Sequence, residues 1–310
     1  MDAALRLKGI RKTFGATTAV HNLDLVVPAG ALYGVIGPNG AGKTTTIRMI
    51  MAILFPDAGE LSVLGRASAL EAKDRIGYLP EERGVYRKMQ VGAFLIYVAR
   101  LKGVRDSGLV DRVRRGLERL GLGGTERRRC EELSKGMLQK VQVLAAIIHQ
   151  PDLLILDEPF SGLDPASARV LHDLVLDEHR RGATILLSTH IMPQAEAICE
   201  HVVMIHEGRK VLDDRIAAIR SRHDPRTIRF EPLDATADVA PLRALREVEH
   251  IEPLSDSAGT PEGYDIRLVE GTDPGGAIRR IASTLTPARI ELARPRLEDV
   301  FLSLVAEGKS

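Results

Sequence analysis

Gly37-Pro38-Asn39-Gly40-Ala41-Gly42-Lys43-Thr44-Thr45 has the spacing G-x-x-x-x-G-K-[ST], a loop whose backbone N–H groups wrap the phosphates of a nucleotide. Its flanks are those the chemistry requires. Residues 31–36 (ALYGVI) predict a buried strand feeding the loop, and Ile47, Ile50, Met51 and Leu54 fall at helical spacing, predicting a helix over Thr44–Leu54. The start of that helix offers free N–H groups and the positive end of its dipole to an anion. Gly37, Gly40 and Gly42 let the backbone turn and approach a phosphate with no Cβ in the way. Lys43 supplies a point charge for the β- and γ-phosphates, and the Thr44 hydroxyl suits Mg²⁺. Asn39, Ala41 and Thr45 lie on the same cradle and complete the candidate nucleotide-binding set. A glycine-rich turn without a ligand is the plainer reading; strand, loop and helix in succession favour the cradle.

A second chemistry-bearing stretch is Leu153-Leu154-Ile155-Leu156-Asp157-Glu158. Four consecutive apolar residues predict a fully buried strand in a parallel sheet. Two acids at its end sit where open α/β sheets bind ligands. A buried carboxylate is costly unless a cation answers it, so Asp157 is the candidate Mg²⁺ ligand. Glu158, pointing elsewhere, suits a water that attacks the terminal phosphate. Residues 184–188 (TILLS) form a further buried strand, followed by Thr189-His190. A histidine at a strand end is usually packed or solvated; one at the same sheet edge as the acids is placed to meet a γ-phosphate.

The bulk composition is that of an ordinary globular protein: 310 residues, 44% hydrophobic and 27% charged, enough for about two domains. The net charge of +1 argues against a dedicated nucleic-acid binder. Cys130 and Cys199 lie far apart and at no metal-ligand spacing, so both are expected as reduced, buried thiols. No run approaches the ~18 apolar residues of a membrane span, so a membrane function would need another chain.

Between these stretches the pattern is legible in outline. Leu5, Leu7, Ile10, Phe14 and Val20–Val27 suggest an antiparallel edge ribbon, and residues 59–64 and 74–79 two further short strands, the second running into Pro80-Glu81. Phe14 is a lone aromatic in a turn-like setting, either a surface residue or a stacking platform for a base. From Met89 to Leu120 the pattern turns helical, with Val91, Phe94, Leu95, Val98 and Leu101 on one stripe and Leu109, Val113, Leu117 and Leu120 on another. Leu133-Ser134-Lys135-Gly136-Met137 precedes an apolar helix; Ser134 either caps it or, with Gly136, aims its N-terminus at an anion. Ser161–Pro165 is a loop, and a helix over 193–200 and a hairpin over 201–212 close the first domain. After Ile216 the composition shifts. Residues 220–225 read as a linker, and the remainder predicts strand, helix (241–248), strand, strand, helix, strand and a last helix (297–304), the split-βαβ order of a small α+β module without a catalytic constellation.

Taken in order, these stretches resemble the ATP-binding subunits of ABC transporters over residues 4–215. The phosphate loop is Gly37–Thr45, the adenine platform matches Phe14, and the Q-loop position matches Glu81. The family signature matches Leu133–Met137, the metal-and-base strand Leu153–Glu158, the D-loop Ser161–Asp164 and the switch histidine His190. The resemblance implies an α/β P-loop ATPase with a mixed-sheet core, an antiparallel β subdomain and a helical subdomain at about 86–150. The expected division is a nucleotide-binding domain over 1–219 and a ferredoxin-like α+β accessory domain over 226–310. It implies two ATPs held head to tail between a homodimer or paired ATPase subunits, each touching Lys43 of one copy and Ser134 and Gly136 of the other, with Asp164 beside them. Thr44, Asp157 and Glu81 would hold Mg²⁺, while Glu158, His190 and Lys43 would serve catalysis.

Two departures stand out. The family usually has Gln where this chain has Glu81; a carboxylate binds a metal more strongly but repels phosphate. The signature reads LSKGM rather than LSGGQ, keeping Ser134 and Gly136. The C-terminal stretch, including the closing residues 294–301, resembles the extension of a bacterial export-type subgroup similar to sodium-efflux ATPase subunits. The expected function is therefore ATP hydrolysis powering export through a separate membrane permease, with the chain cytoplasmic and peripheral on the inner face of the membrane. A soluble ABC ATPase acting on the ribosome or nucleic acid is the alternative.

Overall fold

Alternating apolar residues build the first sheet. The computed structural model describes residues 3–82, 84–222, 226–255, 261–293 and 296–307. Strand β1 (Ala3–Phe14) buries Leu5, Leu7 and Ile10, and pairs antiparallel with β2 (Thr17–Pro28). The ribbon expected at an edge is instead part of a three-stranded sheet in which β1 is central, because a later strand pairs on its other side. β3 (Leu32–Ile36), buried along its whole length, feeds the phosphate loop, and α1 (Lys43–Ile50) follows. This helix is one turn shorter than its apolar spacing predicts. Ala52 takes a left-handed backbone (φ 55), and the Ile53 and Leu54 N–H groups turn back to the Arg48 carbonyl, which closes the helix end. β4 (Ala58–Val63) then completes the antiparallel sheet, order β2-β1-β4.

A short 3₁₀ stretch over Ala69–Arg75 delays β5 to Ile76–Leu79, two residues later than expected. α2 (Val91–Leu101) and α3 (Leu109–Arg119) bury the predicted stripes except over the last turn of α2, where Val98 is half-buried. There Leu101 is the final helical residue and stays 60% exposed, so the packed face ends at Ala99. α4 (Lys135–Ile147) leads to β6 (Leu153–Asp157), α5 (Pro165–Arg180), β7 (Thr184–Thr189), α6 (Met192–Ile198) and the hairpin of β8 (His201–His206) and β9 (Arg209–Arg215).

These strands make a six-stranded sheet, order β5-β6-β7-β3-β8-β9, parallel except for the last pair. The order explains the site. β5, β6, β7 and β3 are neighbours, so the four loops leaving their carboxyl ends emerge side by side at one sheet edge. Register sharpens this: Leu79 pairs with Leu156, Asp157 with Ser188, and Thr189 with Ile36. Glu81, the acid pair, His190 and the phosphate loop are therefore all within a few residues of one line.

The chain divides into two compact units, Met1–Ile216 with 304–310, and Ala217–Ser303. α7 (Ile216–Arg222) begins at the boundary; of the expected linker, residues 223–225 lie outside the described residues. The second unit contains β10 (Thr227–Pro232), α8 (Ala240–Arg243), β11 (Val248–Ser255), β12 (Pro261–Leu268), α9 (Pro274–Thr284) and β13 (Pro287–Ala293); α10 (Leu297–Glu307) follows and runs across the division after Ser303. Its sheet, order β11-β12-β10-β13, is antiparallel throughout, the split-βαβ arrangement, over a core of Ile228, Phe230, Leu242, Ile251, Ile266, Leu268, Ala277 and Ile281. The helix predicted over 241–248 shrinks to one turn because Val248 joins the sheet, opposite Leu268. Residues 294 and 295 of the closing stretch lie outside the described residues.

Candidate functional site: a phosphate loop facing three carboxylates

The phosphate loop is held open by backbone geometry that only glycine tolerates. Gly42, at the start of α1, has φ 102, and a Cβ there would lie 2.5 Å from the Ala19 carbonyl oxygen. A Cβ on Gly37 would meet the Ile205 carbonyl oxygen at 2.1 Å. Asn39 and Gly40 are exposed at the loop tip, whereas Ala41 is buried beneath it.

Lys43 is buried and reaches back across the loop, its Nζ donating to the carbonyls of Gly37 (2.8 Å) and Pro38 (3.1 Å). It also lies 3.8 Å from Glu158 Oε1. Burial pulls the ammonium below the usual lysine range, and the carboxylates of Glu158, Asp157 and Glu81 oppose that shift. Three acids therefore bear on the Lys43 ammonium.

Asp157 is 1% exposed at the end of β6. Its Oδ1 accepts a short hydrogen bond from the Ser188 hydroxyl and a long one, 3.4 Å, from Thr44 Oγ1. Its Oδ2 is sealed from solvent and has no hydrogen-bond partner among the described residues. Burial raises its carboxyl above the usual range, the neighbouring Glu81 and Glu158 add to this, and the hydrogen bonds of Ser188 and Thr44 resist it. Thr44 Oγ1 also lies 3.4 Å from Glu81 Oε2. A hydroxyl, an orphaned carboxylate oxygen and a second carboxylate form a hard, oxygen-only donor set. Among the described residues no three His, Cys, Asp or Glu side chains gather at metal-ligand spacing. The set thus fits a cation that completes its shell with water and phosphate oxygens, as Mg²⁺ does.

Glu158 adopts a left-handed backbone (φ 51), its N–H donating to both the carbonyl and the hydroxyl of Ser188 at 3.2 Å. This twist turns its side chain away from that of Asp157, although the two are adjacent in sequence. Its Oε1 accepts from His190 Nδ1 at 2.9 Å. A carboxylate only accepts, so Nδ1 carries the proton and, in neutral imidazole, Nε2 is an acceptor.

The structure thus joins Lys43, Thr44, Glu81, Asp157, Glu158 and His190 through direct contacts. No hydrogen bond or ion pair among the described residues links Phe14, Ser134, Gly136 or Asp164 to that cluster. Phe14 is 48% exposed with the Lys12 ammonium 5.7 Å from its ring centre. Ser134 is exposed and caps α4, accepting from Met137 N at 3.3 Å, and Asp164 caps α5, accepting from Ser167 N at 2.9 Å. The Ser167 bond holds the Asp164 carboxyl below its usual range.

Three contributors escaped the sequence reading. Ser188 braces both acids from the neighbouring strand. Gln139 and Gln142 are buried in α4 and line a cavity of ≈ 180 Å³ together with Glu81, Asp157, Glu158 and Ser161. Two buried amides one turn apart in a largely apolar helix were the available signal.

Residues 20–161 match the family model described as ABC transporter. YhaQ of Bacillus subtilis (strain 168), an uncharacterized ABC transporter ATP-binding protein, is 36% identical over 301 residues, covering 97% of this chain and 98% of its own. The chain belongs to the ABC transporter ATP-binding proteins. Another relative of this family, the bacitracin transport ATP-binding protein BcrA of Enterococcus faecalis, is 30% identical over 315 residues, covering 99% of this chain and 98% of BcrA. The daunorubicin/doxorubicin resistance ATP-binding protein DrrA of Streptomyces peucetius is 31% identical, over 97% of this chain and 92% of DrrA. A solved structure of an ATP-binding subunit of an ABC transporter superimposes with a TM-score of 0.66 at 31% identity, covering 71% of this chain and 92% of that one. As an ABC transporter ATP-binding protein, the chain binds nucleotide and hydrolyses ATP. Both cysteines are free and buried, as expected. Among the described residues no helix is long and apolar enough to cross a membrane.

Proposed function

We propose that this chain is the ATPase subunit of an exporter, acting in pairs beneath a separate membrane permease. The observation that carries the catalytic part is the Asp157–Thr44–Glu81 oxygen set, with its orphaned Asp157 Oδ2, beside the Glu158–His190 pair. Mg²⁺ would be held by Thr44, Asp157 and Glu81, and would supply positive charge to the phosphate oxygens. Lys43 gives up its two carbonyl contacts and turns its ammonium to the β- and γ-phosphates. Glu158, held by His190, accepts a proton from the attacking water. His190 in this arrangement is committed to Glu158; contact with a phosphate oxygen needs a proton on Nε2 as well. Catalysis is then positioning and electrostatics rather than covalent chemistry.

Export is favoured by the relatives' names: bacitracin transport, drug resistance and Nod factor export. Their long coverage of the chain includes the C-terminal unit in BcrA and DrrA. Ser134, Gly136 and Asp164 stand outside the Lys43 cluster, which fits a site completed by a second copy. The pairing also explains why Ser134 caps a helix whose N-terminus carries no acid.

Capture of the tagged chain from detergent-solubilised membranes tests the assignment. Co-purification of a multi-span membrane protein that stimulates its ATPase activity is the expected result. Ribosomes or DNA in its place would move the chain to the soluble class.

A further inference from the structure

Gln142 is buried, 6% exposed, on the apolar helix α4, yet no hydrogen bond to its side chain is present among the described residues. Its neighbour one turn earlier, Gln139, is anchored by a hydrogen bond to the Pro159 carbonyl, beyond the acid pair. Gln142 lines the same cavity as Glu81, Asp157 and Glu158. The direction of α4 shows which acid it meets. A Cβ on Gly77 of β5 would lie 2.1 Å from the Ala146 carbonyl oxygen, so Ala146 packs on the middle of that strand. One turn back along α4, Gln142 faces the carboxyl end of β5, where Pro80 and Glu81 leave the sheet.

Glu81 is exposed and shares the cavity with two other carboxylates. Like charges push it toward solvent and away from Thr44. A lysine or arginine at position 142 would hold it but would compete with a metal. A carboxamide offers two N–H donors without charge.

We propose that Gln142 is a positioning residue of the ATPase reaction: its carboxamide, without a hydrogen-bond partner among the described residues, takes up the Glu81 carboxylate when a cation is bound and holds it against Thr44 and Asp157, so that the three oxygens form one cation-binding face. The proposal rests on the reading of Thr44, Asp157 and Glu81 as the Mg²⁺ site. Outer partners of metal ligands change metal affinity about 10–100-fold, which sets the expected scale.

The test is calorimetric titration of the purified full chain with ADP, with and without Mg²⁺. The variants are Gln142→Met, Gln142→Ala, Glu81→Ala, the Glu81→Ala/Gln142→Met pair, and Thr44→Ala. Gln142→Met and Gln142→Ala are expected to keep the affinity for metal-free ADP and to lose about tenfold of the gain that Mg²⁺ brings. Glu81→Ala loses as much, and the pair loses no more than either alone, because one acts through the other. An unchanged Mg²⁺ gain in both Gln142 variants, or losses that multiply in the pair, overturns the proposal. If Thr44→Ala also keeps the full gain, the Mg²⁺ reading itself falls; if Thr44→Ala loses it and Gln142→Met does not, only the role of Gln142 falls.

Discussion

The sheet of the second unit and the phosphate loop of the first carry their charges in opposite ways. On the second unit's sheet, carboxylates are answered by arginines: Arg229 with Asp265 at 3.1 Å, Arg289 with Glu291 at 3.0 Å, and Arg267 with Glu249 at 3.6 Å. At the phosphate loop, Glu81, Asp157 and Glu158 converge on Lys43, and Asp157 keeps a buried oxygen without a hydrogen-bond partner among the described residues. In the first arrangement each of these carboxylates has its guanidinium; next to that sheet the buried Glu247 Oε2 has no hydrogen-bond partner among the described residues, but Arg246 and Arg280 both lie against its other oxygen. The second arrangement leaves an imbalance that a bound cation and phosphates would correct. Charge satisfaction, rather than charge content, separates the working surface from the structural one.

Substitutions that break this contrast should differ by orders of magnitude. Glu158→Gln removes the proton acceptor while keeping the shape and the His190 neighbour. Steady-state phosphate release is expected to fall about 10²–10⁴-fold with nucleotide affinity retained; turnover within a few-fold of the parent would take Glu158 out of its role. Gly42→Ala acts through the backbone. The left-handed φ and the clash with the Ala19 carbonyl leave no room for a methyl group, so thermal unfolding should show a loss of more than ~1 kcal/mol, accompanied by weaker nucleotide binding. An unshifted melting curve would mean that the loop relaxes freely. Arg229→Ala, in the region of answered charges, should cost no more than ~1 kcal/mol and leave ATP hydrolysis by the purified chain unchanged. A large fall in hydrolysis there would show that the second unit takes part in the chemistry.

The legible parts of the molecule were those in which chemistry is local in sequence. The strand–loop–helix around Gly37–Thr45 and the strand ending in Asp157-Glu158 each declare themselves within ten residues, because apolar runs set the buried strands and the polar groups fall at their ends. What stayed hidden depends on contacts between distant segments. Ser188 braces Asp157 from 31 residues away, through strand pairing that no local pattern reports. The left-handed backbone of Glu158, which sends the two adjacent acids to different partners, runs against the preference of a non-glycine residue. Helix ends were overrun for two different reasons: Val248 left a predicted helix to pair in the sheet, and a left-handed Ala52 closed α1 locally, before Leu54. Gln142 was passed over because an amide within an apolar helix carries no meaning until the strand it faces is known.

The central claim is that the Lys43 cluster is half of an ATP site, completed by Ser134 and Gly136 of a second copy. Light scattering of the Glu158→Gln chain in ATP and Mg²⁺ tests it most directly. The account predicts a mass twice that of one chain, which returns to a single chain when Ser134→Arg is added or Mg²⁺ is removed. A Glu158→Gln chain that binds ATP tightly and stays single would contradict it.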